Sequence, residues 1–307
     1  MKWYVGVDGG GTKTAFVVSA ADGITAATKR RSGCSYHSIG IDAAVTLVAE
    51  GVHESLAAVG ATLADCAGCC VGMPCYGEHA ENDRLLVEKL SAALAPASVY
   101  VANDVEVGWA GSLECREGIH LVAGTGSIAF GRGVDGKTAR CGGWTEFFGD
   151  EGSCYWVGRE AMSLFSKEAD GRAPRGALYD IVRKDLGFTE DFRFVDAVLK
   201  DLSRERVADF QRYALQAVNE GDRAAAALYE AAADELTLMV ITMKQRLRLS
   251  PGETRVSYSG GLFHAGELVL KPLRENVAAL GCVLREPKRS AVEGALILAI
   301  EKFSGRN

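Results

Sequence analysis

Hydrophobic and polar positions along the first thirty residues break into two short apolar runs, KWYVGVD and TAFVVSA. Both are β-branched and aromatic. A glycine-rich turn separates them and ADG (Ala21 to Gly23) supplies the next turn, so they predict a β-hairpin. The period then changes. Val45, Val48, Val52, Leu56 and Val59 recur at steps of three and four, which predicts a helix from about Asp42 to Val59. A buried strand (about Cys69 to Met73), a helix (Glu81 to Leu94) and a second buried strand, SVYVAND, follow. Strands alternating with helices imply a largely parallel sheet covered on its faces.

A second block repeats this design. IHLVAGTGSIAFGRGVDGK is an apolar strand, a Gly-Thr-Gly-Ser turn and a second strand, with VDG where the first hairpin has ADG. The echo covers only about twenty residues per copy and indicates an internal duplication. From Asp150 to about Leu249 helical pattern dominates; TRVSYSGGLF then reads as a strand entering a Gly-Gly turn, with helices to the end. The best hinge lies near Leu113 to Gly118.

Composition narrows the classes. With 307 residues the chain suits two domains with large cores. Hydrophobic residues at 48% and charged residues at 24% describe a soluble globular protein. The net charge of -6 argues against nucleic acid as a partner. No run approaches the roughly 18 apolar residues of a membrane span, and MKWYVGVDGG lacks a signal-peptide pattern, so a cytoplasmic protein is expected. Nine cysteines is a high count, and Cys66, Cys69, Cys70 and Cys75 cluster. Cys69 and Cys70 are adjacent on a strand and point to opposite faces, and no second Cys-x-x-Cys pair exists, so core packing in a reduced compartment is the reading.

The glycine turns raise the question of phosphate. The first, Gly9 to Gly11 followed by Thr12, Lys13 and Thr14, fails the G-x-x-x-x-G-K-[ST] pattern because Thr12 precedes Lys13. It also fails G-x-G-x-x-G. The one true match to that spacing, Gly131, Gly133 and Gly136, leads into KTARCGGW, which is no helix start. A protein-kinase loop would need a downstream H-R-D motif, which is missing. What remains is a hairpin turn whose backbone N–H groups can face an anion, with Thr12 and Thr14 adding hydroxyls. Asp8, ending the first strand, would repel phosphate unless Mg²⁺ sits between them. The alternative is a plain hairpin; the second turn at Gly124, Thr125, Gly126 and Ser127 favours phosphate.

Taken together, GVDGGGTKT, NDVEVGWAGS, AGTGSIAFG, GGWTEFFGDEGSCYWVGREA and YSGGLF resemble the motifs of the sugar kinase/actin/Hsp70 superfamily, and more closely the BadF/BadG/BcrA/BcrD-type ATPase group that includes N-acetylglucosamine kinases. The resemblance spans Gly6 to Phe263. It implies an α/β fold of two actin-like (ribonuclease H-like) domains, each a mixed five-stranded sheet flanked by helices, with a nucleotide cleft between them. The expected division is 1–115, 116–287 with a helical insertion, and a C-terminal helix in 288–307 packing back on the first domain. It implies ATP and Mg²⁺ as cofactors, held by phosphate loop one (Gly9 to Thr14), phosphate loop two (Gly124 to Ser127), the adenosine motif (Gly260, Gly261) and Asp8 on the metal. It implies Asp104 as the base that takes the proton from the attacking sugar hydroxyl, worth roughly 10²–10⁴-fold; the competing reading is a helix N-cap. Ser35, Asn103, Asp104, Gly143 and Asp150 are expected on the sugar, with Gly142 and Trp144 shaping the pocket and Glu151 serving as an N-terminal helix charge.

Two departures bear on substrate. Ser35, in CSYHSIG, stands where N-acetylglucosamine kinases of this group carry Asn, and GMPCYGE (Gly72 to Glu78) replaces their Ser-Gly-Gly or Leu-Ala-Gly segment. Tyr36 and His37 share that loop, as sugar contacts or as a surface pair. The expected activity is ATP-dependent phosphorylation of an amino sugar, N-acetylglucosamine or glucosamine, by a homodimer. The alternatives are an ATPase activator of a 2-hydroxyacyl-CoA dehydratase-type partner and a non-catalytic sensor, the latter opposed by the intact Asp104.

Overall fold

The two apolar runs at the start of the chain pair as their pattern requires. In the computed structural model, which describes residues 2–305, β1 (Trp3–Gly9) and β2 (Lys13–Ser19) are antiparallel, with Asp8 opposite Ala15 and Gly9 opposite Thr14. A third strand, β3 (Thr25–Ser32), extends this meander along β2. Its sequence, TAATKRRS, is mostly exposed, and the sequence pattern did not reveal it because a polar edge strand has no buried face to read. Lys29 and Arg31 on β3 make ion pairs to Glu54 of the helix that covers the sheet.

Then come α1 (Tyr36–Ile39), α2 (Ile41–Ala57), β4 (Cys66–Met73), α3 (Ala80–Ala93), β5 (Ser98–Asn103) and α4 (Asp104–Leu113). β4 runs parallel to β1, and β5 parallel to β4, giving a mixed sheet in the order β3-β2-β1-β4-β5. The predicted stripe on α2 is the one that packs: Val45, Val48, Val52 and Leu56 are buried in a core with Val5, Val7, Phe16 and Val71. Cys66, Cys69 and Cys70 are buried on β4, and all nine cysteines are free thiols.

The second sheet is built from β6 (Gly118–Ala123), β7 (Ser127–Arg132), β8 (Thr138–Gly142), β9 (Thr254–Ser259) and β10 (Cys282–Arg285), in the order β10-β9-β6-β7-β8. β7 and β8 are antiparallel, and β9 and β10 parallel. Substituting each strand by the one five places earlier reproduces the first sheet's order, so the duplication read over about twenty residues extends to the whole sheet. Between β8 and β9 lie α5 (Cys154–Asp170), α6 (Ala177–Leu186), α7 (Arg193–Leu199), α8 (Arg204–Asp209), α9 (Gln211–Asn219) and α10 (Arg223–Arg246); α11 (Glu267–Ala279) precedes β10. β10 corrects the expectation of helices to the end. Four residues with one buried side chain carry too little pattern to distinguish a strand from a loop.

The chain divides into two compact units, one holding the residues up to 120 and from 286 onward, the other residues 121–285. The return segment is α12 (Ala291–Phe303), opened by a capping box at Ser290 and Glu293 and packed on β1 and α4 of the first unit. The approach is backbone-close: a Cβ at Gly294 would overlap the Val107 carbonyl oxygen and come within 2.8 Å of the Gly111 Cα, so only glycine fits there. No helix among the described residues is long and apolar enough to cross a membrane.

Candidate functional site

In the first unit the parallel register decides where the carboxylates fall. Asp8 pairs with Gly72, Gly72 with Ala102 and Met73 with Asn103, so β1, β4 and β5 end along one edge. Asp8 near the end of β1 and Asp104, the first residue of α4, therefore share the carboxyl edge of the sheet, where α/β folds collect ligands. They interact electrostatically. Burial and then the negative charge of Asp104 push the Asp8 carboxyl up to about 7, and Lys13 at the start of β2 pulls the other way. Two neighbouring carboxylates, one of them buried, form a site with the donor character for a hard, oxygen-seeking cation.

The hairpin turn follows Asp8 directly, joining β1 to β2. The Gly10 N–H donates to the Lys13 carbonyl oxygen (3.0 Å), and the Cys34 N–H donates to the Gly10 carbonyl oxygen (3.0 Å), which fixes the turn against the segment after β3. Gly11, Thr12 and Lys13 are exposed, and nothing lies within 4 Å of the position a Gly11 Cβ would take. Thr14 is different: it is buried and its hydroxyl donates to the Ser32 carbonyl oxygen at 2.8 Å. Of the two threonines expected to add hydroxyls for phosphate, Thr12 faces solvent and Thr14 holds β2 to β3.

Asn103 is the residue that caps α4. Its Oδ1 accepts from the Val105 N–H (3.0 Å), while its Nδ2 donates to the Tyr76 carbonyl oxygen (2.6 Å), tying the β4–α3 loop to the helix start. With the cap supplied by Asn103, Asp104 is freed from the N-cap position that competed with its chemical reading, though its Oδ1 accepts from the Val105 N–H at 2.9 Å. Ser35 stands half-buried at the head of α1, its side chain making no cap bond.

In the second unit loop two is built against the start of α5. The Cys154 N–H donates to the Gly124 carbonyl oxygen (2.8 Å), and the Gly124 N–H to the Gly126 carbonyl oxygen (2.9 Å). The Ser127 hydroxyl donates to the Glu151 carbonyl oxygen (2.6 Å). Gly260 adopts φ 114° and presses on this loop; a Cβ there would overlap the Ala123 carbonyl oxygen and lie 2.7 Å from the Gly124 N. The strand–Gly-Gly turn and loop two are thus one assembly, as Gly261 is also within reach of Cys154.

Asp150 sits beneath loop two, 2% exposed and at φ 56°. Its Oδ1 accepts from the Ser127 N–H (3.1 Å) and its Oδ2 binds the Arg204 guanidinium, whose Nε also faces Glu146 at 3.6 Å. The sequence reading put Asp150 on the sugar; the carboxylate here braces loop two. Arg204 and Glu146 went unread, because Arg204 lies 54 residues from Asp150 and a lone arginine opening a helix carries no motif. Gly142 (φ 82°) and Gly143 (φ 68°) turn the chain after β8, and the Gly143 N–H donates to the Ser127 carbonyl oxygen at 2.9 Å. Beyond them Trp144, Phe147 and Phe148 are exposed.

The model of the BadF/BadG/BcrA/BcrD ATPase family matches residues 5–299. An N-acetylmuramic acid/N-acetylglucosamine kinase of Clostridium acetobutylicum is 28% identical over 266 residues, 86% of each chain. An N-acetyl-D-glucosamine kinase of Dictyostelium discoideum is 28% identical over 291 residues, 89% of this chain and 90% of the other. Among solved structures, a Chromobacterium violaceum protein assigned as an N-acetylglucosamine kinase superposes with a TM-score of 0.77 at 24% identity, covering 97% of this chain and 99% of its own.

Proposed function

The chain belongs to the BadF/BadG/BcrA/BcrD ATPase family, and within it we propose an ATP-dependent kinase of amino sugars, with N-acetylglucosamine or glucosamine as the acceptor. The observation that carries this reading is the pair Asp8 and Asp104 at one sheet edge, beside an exposed glycine turn and one lysine. The curated relatives are amino-sugar kinases, which favours this reading over an activator of a partner reductase.

The roles follow from the chemistry. Asp104, kept off the N-cap by Asn103, takes the proton of the sugar hydroxyl as its oxygen bonds to the γ-phosphorus and the bond to the bridging oxygen of ADP breaks. Asp8 would hold Mg²⁺, which would supply charge neutralisation on the phosphates. The exposed turn Gly11 to Lys13 would offer amides and an ammonium to phosphate, and in the second unit Thr125 and Gly126 would offer amides of their own. Gly260 and Gly261 line the adenosine side. Asp150, through Ser127 and Arg204, keeps loop two in shape rather than touching substrate. Ser35 and the loop tied down by Asn103 border the sugar, and a hydroxyl where relatives of this group carry an amide is the feature that tunes the acceptor.

A coupled ADP-release assay over N-acetylglucosamine, glucosamine, N-acetylmuramic acid, N-acetylmannosamine and glucose tests the proposal. Sugar-dependent ADP release with an amino sugar leading is expected. ADP release equal with and without every sugar would overturn it.

A further inference from the structure

We propose that His37, Cys75 and Glu78 form a Zn²⁺ site that clips the β4–α3 loop to α1. The imidazole, thiol and carboxylate ligand atoms of these three residues lie within 4.8 Å of one another. In a tetrahedral zinc site with bonds of about 2.0–2.3 Å the ligand atoms stand about 3.5 Å apart, so side-chain movements of about an ångström close the cluster on the metal. The donor set is one sulfur, one nitrogen and one oxygen. That combination selects a borderline cation such as Zn²⁺ over the hard Mg²⁺ that Asp8 and Asp104 suit. The site is distinct from that pair and does not depend on the kinase reading.

The loop is already held in place to receive an ion. The Tyr36 hydroxyl donates to the Cys75 carbonyl oxygen (3.0 Å), the Asn103 amide to the Tyr76 carbonyl oxygen (2.6 Å), and the Gly77 N–H to Asp83 Oδ2 (3.1 Å). Cys75 itself sits at φ 63°, a left-handed conformation uncommon for a residue with a Cβ. His37 stacks on Tyr36 (centroids 4.6 Å apart), which steadies its ring, and the His79 ring stands 5.5 Å from that of His37. His37 and Glu78 are exposed and Cys75 half-buried, so an ion enters from solvent. Binding takes the thiolate form of Cys75 and releases its proton to water, with no change of oxidation state.

The full-length protein, stripped of metal, is titrated with Co²⁺ as a spectroscopic probe and then with Zn²⁺. A thiolate-to-cobalt charge-transfer band is expected, saturating at one ion per chain, displaced by one equivalent of Zn²⁺ and untouched by excess Mg²⁺. Cys75→Ser should lose the band, and His37→Ala, at an exposed position that leaves the fold intact, should weaken Zn²⁺ binding by about ten-fold or more. Hydrogen exchange across residues 74–79 should slow on Zn²⁺ addition. Absence of the band in the parent protein, or an equal band in Cys75→Ser, overturns the site.

Discussion

Asp8 carries a charge cost that a bound cation would relieve. Its carboxyl is raised to about 7 by burial and by Asp104, against an ordinary value near 4, so the folded protein holds a proton that the unfolded chain has released. A raised carboxyl destabilises the native state increasingly from about pH 4 up to about pH 7, and the full penalty is present above that. Asp8→Asn is therefore expected to raise the melting temperature of the ligand-free protein, more at pH 8 than at pH 5; an equal shift at both would show that Asp8 is not strained by charge. The same substitution should remove the Mg²⁺ dependence of nucleotide binding. Asp8 and Asp104 were legible in the sequence because each ends a strongly apolar run, and strand ends are where open sheets place ligands. Asp150 was legible as a site residue, but its bond to Arg204 was not, because Arg204 is supplied by a helical insertion that no local pattern connects to loop two. Arg204→Gln, which leaves the buried carboxylate with the Ser127 N–H alone, is expected to raise KM for ATP by about ten-fold while KM for sugar stays within about two-fold. Equal change in both would place Arg204 elsewhere in the mechanism.

Elements with one buried face were readable and those without were not. The α2 stripe and the hairpin followed from periodicity, to within a few residues at their ends. β3 is polar, β8 half-buried along most of its length, and β10 four residues long, so none repeats a two-residue alternation long enough to register. Packing of α12 on α4 depends on glycine at 294, a fact invisible in a run as apolar as AVEGALILAI. Gly294→Val is expected to destabilise the protein by about 1–3 kcal/mol through overpacking, read as a lower urea midpoint. A midpoint within experimental error of the parent would mean that α12 slides without loss.

At the scale of the whole chain, the repeated strand order of the two sheets explains why two glycine turns occur at matching places: each follows the first strand of its sheet, β1 or β6. The turns were readable because glycine clusters survive as sequence, whereas the outer strands that complete each sheet diverged in polarity. Only one unit carries the Asp8–Asp104 pair; the second carries Asp150 locked by Arg204. The duplicated fold has thus been divided into a half with two carboxylates at its sheet edge and a half with a braced loop, and we propose that the chemical step falls to the first. The direct test is Asp104→Asn, assayed for sugar-dependent ADP formation beside binding of a non-hydrolysable ATP analogue. Turnover is predicted to fall by roughly 10²–10⁴-fold with analogue affinity within about three-fold of the parent; turnover retained within about three-fold would contradict the assignment of Asp104 as the base.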